Sequence, residues 1–318
     1  MDCLLGICLE HGAFLRREAH GLGFHDREIA RHVRDGTWIR LRHGAYTLAT
    51  LWEVAAPLER HLMRSRAAYR TAGADVVLSH ASSLGLHTKT YWGLDLTEVH
   101  LTRTDRRAGR RSAGVVQHCG AVLDEDIELL GDLRYMSATR TALEPTTLAD
   151  VEHSLVVVND LLRARKTTRS QLEHRYVDME QWPHTLRTDL VLRLCDGRIE
   201  SVAESRACYC FFRHGLPSPV PQYEVRDGSG QIVARLDFAW PDLGVWVEVD
   251  GRVKYDELRR PGETPVDALM REKHREALVS EITGWVCVRI TWADLAHPER
   301  VVARIRSAFS RSGRRVVR

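Results

Sequence analysis

The first fifty residues alternate short amphipathic stretches with glycine stops. Residues 2–11 read as a helix, and Arg16 to Gly21 as a second, closed by the Gly21-Leu22-Gly23 turn. HDREIARHVRDG reads as a third. Ile29, Ala30 and Val33 give it one apolar face, Asp26 suits the cap or the first turn, and Gly36 falls where a helix C-terminus favours positive φ. WIRLR, His43-Gly44 and AYTL then spell strand, glycine turn, strand. Helix, turn, helix and a two-stranded wing is the order of a winged helix-turn-helix over residues 1–50. The polar face of the third helix would carry Arg27, Glu28, Arg31, His32 and Arg34, and the wing adds Arg40 and Arg42. Cations on one helix and an adjacent ribbon suit double-stranded DNA, the helix in the major groove and the wing along phosphates. The competing reading is a small helical domain whose arginines only solvate its surface.

Residues 51–195 form a mixed α/β middle region. Residues 53–72 read as one long helix, SHASSLGLH as a short capped helix, and EVHLTR, GVVQHC and LRYMS as strands. TLADVEHSLVVVNDLLRAR is an amphipathic helix. TRTDRRAGRR, with Arg103, Arg106, Arg107, Arg110 and Arg111, reads as a solvated connection in preference to a phosphate contact. His80, His87, His100 and His118 show no metal-ligand spacing and read as ordinary histidines.

The pattern changes at residues 196–310. The helix SVAESRACYCFFRHGL ends at Gly215 and is followed by Pro217, Pro219 and Pro221. QYEVR, QIVARLDFAW and VWVEVDG are three strands joined by turns; residues 265–284 are helical, WVCVRIT is a strand, and a last helix runs from about 298 to 309. The chain closes in a short basic tail, residues 311–318.

Because side chains alternate along a strand, Trp246, Glu248 and Asp250 face one side and Val245, Val247 and Val249 the other. Two carboxylates on an otherwise apolar strand repel each other and lose hydration unless something positive lies between them. Asp237, on the preceding strand, adds a third acid. A hard divalent cation held by oxygen ligands explains the trio, with Lys254 or Lys273 placed to orient or deprotonate a water. In the competing arrangement Asp237 pairs with Arg235 or Arg289, and Asp250-Gly251 is a plain turn.

Composition adjusts this picture little. A chain of 318 residues is too long for one ordinary domain, and 44% hydrophobic with 28% charged residues describes a globular protein able to bury proper cores. Its net charge of +3 says little about partners. Seven scattered cysteines, an odd number, point to reduced thiols and a cytoplasmic location. No apolar run approaches the ~20 residues that cross a bilayer, and the start lacks a basic n-region, so neither membrane nor signal peptide is expected.

The C-terminal motifs resemble the PD-(D/E)xK nuclease superfamily. More narrowly, ESVAESRACYCFFRHGLPSPVPQYEVRD, RLDFAWPDLGVWVEVDGRVKY and REKHREALVSEITGWVCVRITWADL resemble endonuclease-like domains related to very-short-patch mismatch repair endonucleases. GAFLRREAHGLGFHDREIARHVRDGTWIRLRHGAYTL resembles the AbiEi-type antitoxin winged helix. The resemblance implies an α+β chain with a restriction-endonuclease-like mixed sheet. It implies Asp237 and Glu248 as ligands of Mg2+ (or Mn2+), Glu204 as the helix acid, and phosphodiester hydrolysis. Asp250 stands where the superfamily usually has its lysine. Either Lys254 supplies the ammonium from a migrated position, or the fold binds metal without cutting well. Two functions therefore compete: a metal-dependent DNA endonuclease, and a DNA-binding regulator or antitoxin with a weak or inactive nuclease fold. A cognate toxin partner rests on family analogy alone.

Overall fold

A computed structural model describes residues 2–72, 75–105, 107–250 and 265–313. The chain divides into two compact units, Met1–Val157 with Arg165–Leu192, and Val158–Ala164 with Arg193–Arg318. The whole is an α+β protein with three sheets, one antiparallel and two mixed.

The first unit opens with α1 (Asp2–His11), β1 (Phe14–Leu15), α2 (Arg16–Gly21), α3 (Asp26–Arg34), β2 (Trp38–Arg42) and β3 (Ala45–Leu48). The strands form an antiparallel sheet in the order β1-β3-β2. Gly36 and Gly44 both sit at φ 73°, the first ending α3 and the second turning the hairpin, a conformation that L side chains resist. Trp38, 1% exposed, centres the small core. Phe14 and Phe24 meet it edge-on at 4.8 and 5.1 Å, and Leu4, Ile29 and Leu48 close around it. β1 was not foreseen, because two residues are too few to show alternation.

The helix expected over 53–72 is two helices, α4 (Ala49–Val54) and α5 (Pro57–Ala72). The break falls at Ala55, which is extended with ψ 135°, and Pro57 two residues later opens α5 while its ring disfavours helical backbone at Ala56. Next come β4 (Val76–Leu78), α6 (Ala81–Leu84), β5 (Val99–Arg103), β6 (Arg110–Ser112), β7 (Val115–His118), β8 (Ile127–Leu130) and β9 (Leu133–Met136). They build a six-stranded sheet in the order β6-β7-β5-β4-β9-β8, with β5–β7 and β4–β9 parallel. α5 packs Ala68 against Val76, Leu78, Val99 and Leu101 of this sheet. The helices α7 (Ala138–Leu143), α8 (Val151–Arg163), α9 (Arg169–Val177) and α10 (Leu186–Leu194) follow, and α8 contributes residues to both units.

The basic connection between β5 and β7 contains the edge strand β6, and its arginines are largely engaged at home. Arg103 pairs with Asp105, Arg111 Nε donates to Glu98 at 2.7 Å, and Arg110 Nε donates to Gln117 at 3.0 Å. Arg106 lies outside the described residues.

The second unit holds α11 (Val202–Arg213), β10 (Val220–Arg226), β11 (Ile232–Trp240), β12 (Val245–Asp250), α12 (Pro265–Thr283), β13 (Val286–Thr291) and α13 (Pro298–Arg311). The sheet order is β10-β11-β12-β13, antiparallel except for the parallel β12–β13 pair. A parallel pair needs a long crossover, which α12 supplies. One face carries Phe238, Trp240, Val245, Val247 and Val249 into a core with Phe211 of α11 and Ile305 of α13. The other carries Leu236, Ala239 and Trp246 against Val279 of α12. Leu236 and Phe238 are two apart on one strand and should share a face. They pack into different cores, so the alternation of the strand breaks around Asp237, the residue between them.

All seven cysteines are free thiols. Among the described residues no helix is long and apolar enough to cross a membrane.

Candidate nucleic-acid interface and acidic centre

On α3 the apolar face is settled by burial of Ile29, while Arg27, Arg31 and Arg34 stand exposed on the other side. On the wing Arg40 is exposed and Arg42 half-buried. Both acids at the start of α3 are engaged within the domain. Glu28 Oε2 accepts the His25 N–H at 2.8 Å, and Asp26 pairs with Arg16 and with His20 Nε2 at 3.0 Å. Arg16 holds the Asp26 carboxyl below the usual carboxylate range. None of Arg27, Arg31, Arg34, Arg40 and Arg42 has a carboxylate partner among the described residues. Such cations keep their full capacity for phosphate. His32 departs from the expected polar face. It stacks on Trp38 at 4.5 Å and 13°, and its Nδ1 lies 2.9 Å from Thr37 Oγ1. It braces helix to wing, a placement that reading polarity by residue type alone conceals.

In the second unit, the β11–β12 ladder ends with Phe238 opposite Val247. There the Asp237 carboxylate takes over: its Oδ2 accepts the Val249 N–H at 2.7 Å. Asp237 is 9% and Glu248 7% exposed. Burial, and then the Asp237 charge, push the Glu248 carboxyl up to about 7, against the pull of Arg275 and Arg289. Arg275 of α12 reaches Glu248 Oε2 at 2.9 Å, whereas Glu248 Oε1 is buried with no hydrogen-bond partner among the described residues. Asp250, at the strand end, lies 3.9 Å from Arg289, which also bonds Glu276 at 3.0 Å. Arg235 pairs with Glu200 at 2.8 Å.

Glu204, in the first turn of α11, is 1% exposed. Its Oε1 accepts from Ser201 Oγ at 2.7 Å, and its Oε2 from the Glu200 N–H at 3.0 Å and from Gln222 Nε2 at 2.8 Å. Ser201 in turn caps the helix by accepting the Glu204 N–H at 3.1 Å. Gln222 connects this acid to the others. The β10–β11 register steps from Pro221↔Phe238 to Tyr223↔Leu236, which sets Gln222 across from Asp237. With φ 53°, Gln222 interrupts the ladder at that point.

Residues 9–49 match the family described as a transcriptional regulator, AbiEi antitoxin. This stretch spans the hairpin and the helices that carry the exposed arginines. The chain is also 31% identical over 173 residues to two curated proteins from strains of Mycobacterium tuberculosis, both called uncharacterized. The match covers 54% of this chain and 60% of each relative.

The acidic centre thus joins Glu204, Asp237, Glu248 and Asp250 to two guanidinium groups. The donor set fits a hard divalent cation. The buried Glu248 carboxyl has a raised proton affinity beside the Asp237 charge, and its Oε1 lacks a donor among the described residues, both of which a cation would relieve. Lys254 lies outside the described residues and Lys273 is exposed on α12; among the described residues Arg275 pairs with Glu248. Arg275 and Gln222 were not foreseen. Neither lies near Asp237 or Glu248 in sequence, and only the α12 crossover and the positive φ of Gln222 bring them in.

Glu248 makes a pH-dependent contribution to stability. A carboxyl whose folded-state pKa is raised favours the fold below its unfolded value and loses that advantage as pH rises through the folded one. The rise from 4.5 to about 7, at ~1.4 kcal/mol per pH unit, is worth about 3 kcal/mol. Metal-free Glu248→Gln protein is therefore expected to match wild type near pH 4.5 and exceed its unfolding free energy by about 3 kcal/mol at pH 8. Urea titrations at the two pH values measure the difference; a pH-independent gap refutes the assignment.

Proposed function

We propose that this chain is a DNA-binding regulator of the AbiEi-antitoxin type that grips duplex DNA with α3 and the β2–β3 wing. The exposed arginines on α3 and the wing, none with a carboxylate partner among the described residues, carry this reading. The match of residues 9–49 supports it. Phosphate contacts fix the protein on the duplex, and the exposed side chains of α3 read the major groove. The test is fluorescence anisotropy with a labelled duplex over a range of salt. A log–log slope of about −0.9 per neutralised phosphate is expected, and affinity indifferent to salt would overturn the reading. A toxin partner stays with the family analogy.

A second reading concerns the C-terminal unit, as a Mg2+- or Mn2+-dependent endonuclease of the PD-(D/E)xK kind. The observation that favours it is the buried Glu248 Oε1 beside Asp237, without a hydrogen-bond partner among the described residues. Asp237 and Glu248 would hold the metal. A bound divalent ion polarises the scissile phosphate and acidifies a water. Glu204 positions Gln222 against the centre, and Arg275 supplies positive charge near Glu248, close to developing phosphate charge. Asp250, in the lysine's usual place, and Lys254 stand as the remaining members of the proposed catalytic set. Supercoiled plasmid with either ion should be nicked by wild type and left intact by Asp237→Ala and Glu248→Ala. Intact plasmid with wild type, alongside DNA binding that the two variants retain, rejects the enzyme and keeps the regulator.

A further inference from the structure

A second cluster of metal-ligating side chains lies in the first unit, apart from the acidic centre. We infer that His80, His100 and His118 form a binding site for a divalent transition metal of the Zn2+ class. One ring nitrogen from each lies within 4.8 Å of the others. The topology assembles them. β5 and β7 run parallel in a register that pairs His100 with Val116 and Thr102 with His118, which puts both histidines on one face. His80 follows β4, the other neighbour of β5, at the start of α6.

The geometry is close to that of a ligand set. His100 Nδ1 and His118 Nε2 are 2.9 Å apart, and the His80 ring stacks on His118 at 4.0 Å. Tetrahedral Zn2+ with Zn–N of ~2.0–2.1 Å separates its nitrogens by ~3.4 Å, so shifts of a few tenths of an ångström to about 1 Å would seat the ion. Three imidazoles with a fourth position open to water form a set that favours Zn2+ over Mg2+ or Ca2+, which prefer oxygen.

Other features prepare the site. His80 holds a backbone conformation rare outside glycine, φ 52° and ψ −134°. The buried Glu144 carboxylate secures it by accepting the His80 N–H at 2.8 Å. On the His80 ring, Nδ1 lies 3.1 Å from Ser79 Oγ and 3.5 Å from Glu144 Oε2, which leaves Nε2 for a metal. A ligating histidine whose other nitrogen faces a carboxylate is the usual outer-shell arrangement. The nearby charges balance: Arg140 and Arg175 face Asp126 and Glu144. His118 is only half-buried and gives the ion a way in.

The test uses the full chain, stripped with a chelator and titrated with Co2+ and Zn2+ in excess Mg2+. About one equivalent of Co2+ is expected, with the intense visible absorption of a tetrahedral ion, displaced by Zn2+. His118→Asn and His100→Asn should each lower affinity at least tenfold. Asp237→Ala and Glu248→Ala should bind Co2+ as wild type does, which separates this site from the acidic centre. Half-exposed His118 is the safer substitution should a change at His80 prevent folding. Absence of stoichiometric Co2+ or Zn2+ binding by folded wild type overturns the inference, as does unchanged affinity in folded His118→Asn.

Discussion

Reversing charge at Arg31 and Arg34 together, in Arg31→Glu/Arg34→Glu, is expected to weaken duplex binding by about 100-fold or more at physiological salt. Both side chains are exposed on the face of α3 opposite Ile29, so the change leaves the buried core of the domain intact. A charge-assisted hydrogen bond is worth ~1.5–3 kcal/mol, and two of them lost give a factor of at least that size. The log–log salt slope should flatten by about 2, one counterion per lost phosphate contact. Arg107→Glu is the control. It too is exposed, but it lies beside Asp105 in the β5–β7 connection and should change binding little. Double-variant affinity equal to wild type, with far-UV circular dichroism unaltered, would remove α3 from the interface and bring protein–protein docking forward.

The largest effect on stability is expected at Arg140. It is fully buried, donates to Glu144 Oε1 at 2.9 Å and Asp126 Oδ2 at 3.2 Å, and lies 4.4 Å over the ring of Trp182. Arg175 holds Asp126 from the other side with bonds of 2.6 and 2.7 Å. Truncation to Ala strands Glu144, whose carboxyl burial already pushes upward. Breaking a buried pair on one side costs about 3–5 kcal/mol, and Arg140→Ala should lose that much in urea unfolding at pH 8. Without Arg140 the Glu144 carboxyl titrates higher still in the folded state, so the deficit should shrink as pH falls and the group takes a proton. A loss below about 1 kcal/mol at pH 8 would show that the network contributes little.

How much the sequence disclosed depended on whether a signal was local. α3 and the hairpin are visible because Ile29 and Val33 share a face and Gly36 and Gly44 mark the turns. The acidic strand is visible through the alternation of Val245, Val247 and Val249 with Trp246, Glu248 and Asp250. What stayed hidden was built by distant strands. His80, His100 and His118 follow no local spacing because three neighbouring chain segments of one sheet bring them together. Arg275 meets Glu248 only across the α12 crossover. The resemblance implies Glu204 as the helix acid, and its part in capping α11 follows from Ser201 three residues earlier, a pattern readable in ESVAES.

Asn159 of α8 bears on how such a protein can be assembled from parts. It is 1% exposed, its Nδ2 donates to Ser205 Oγ at 3.1 Å, and its Oδ1 accepts the Asp196 N–H at 2.9 Å. Gly197 packs so closely on Leu162 that an added Cβ would meet Leu162 Cβ at 3.2 Å. A gene fusion that joined the C-terminal unit to a new leader at residue 193 would separate these partners and orphan a buried amide. A fusion that keeps this amide satisfied must therefore keep the end of α8, Val158–Ala164, with the C-terminal unit.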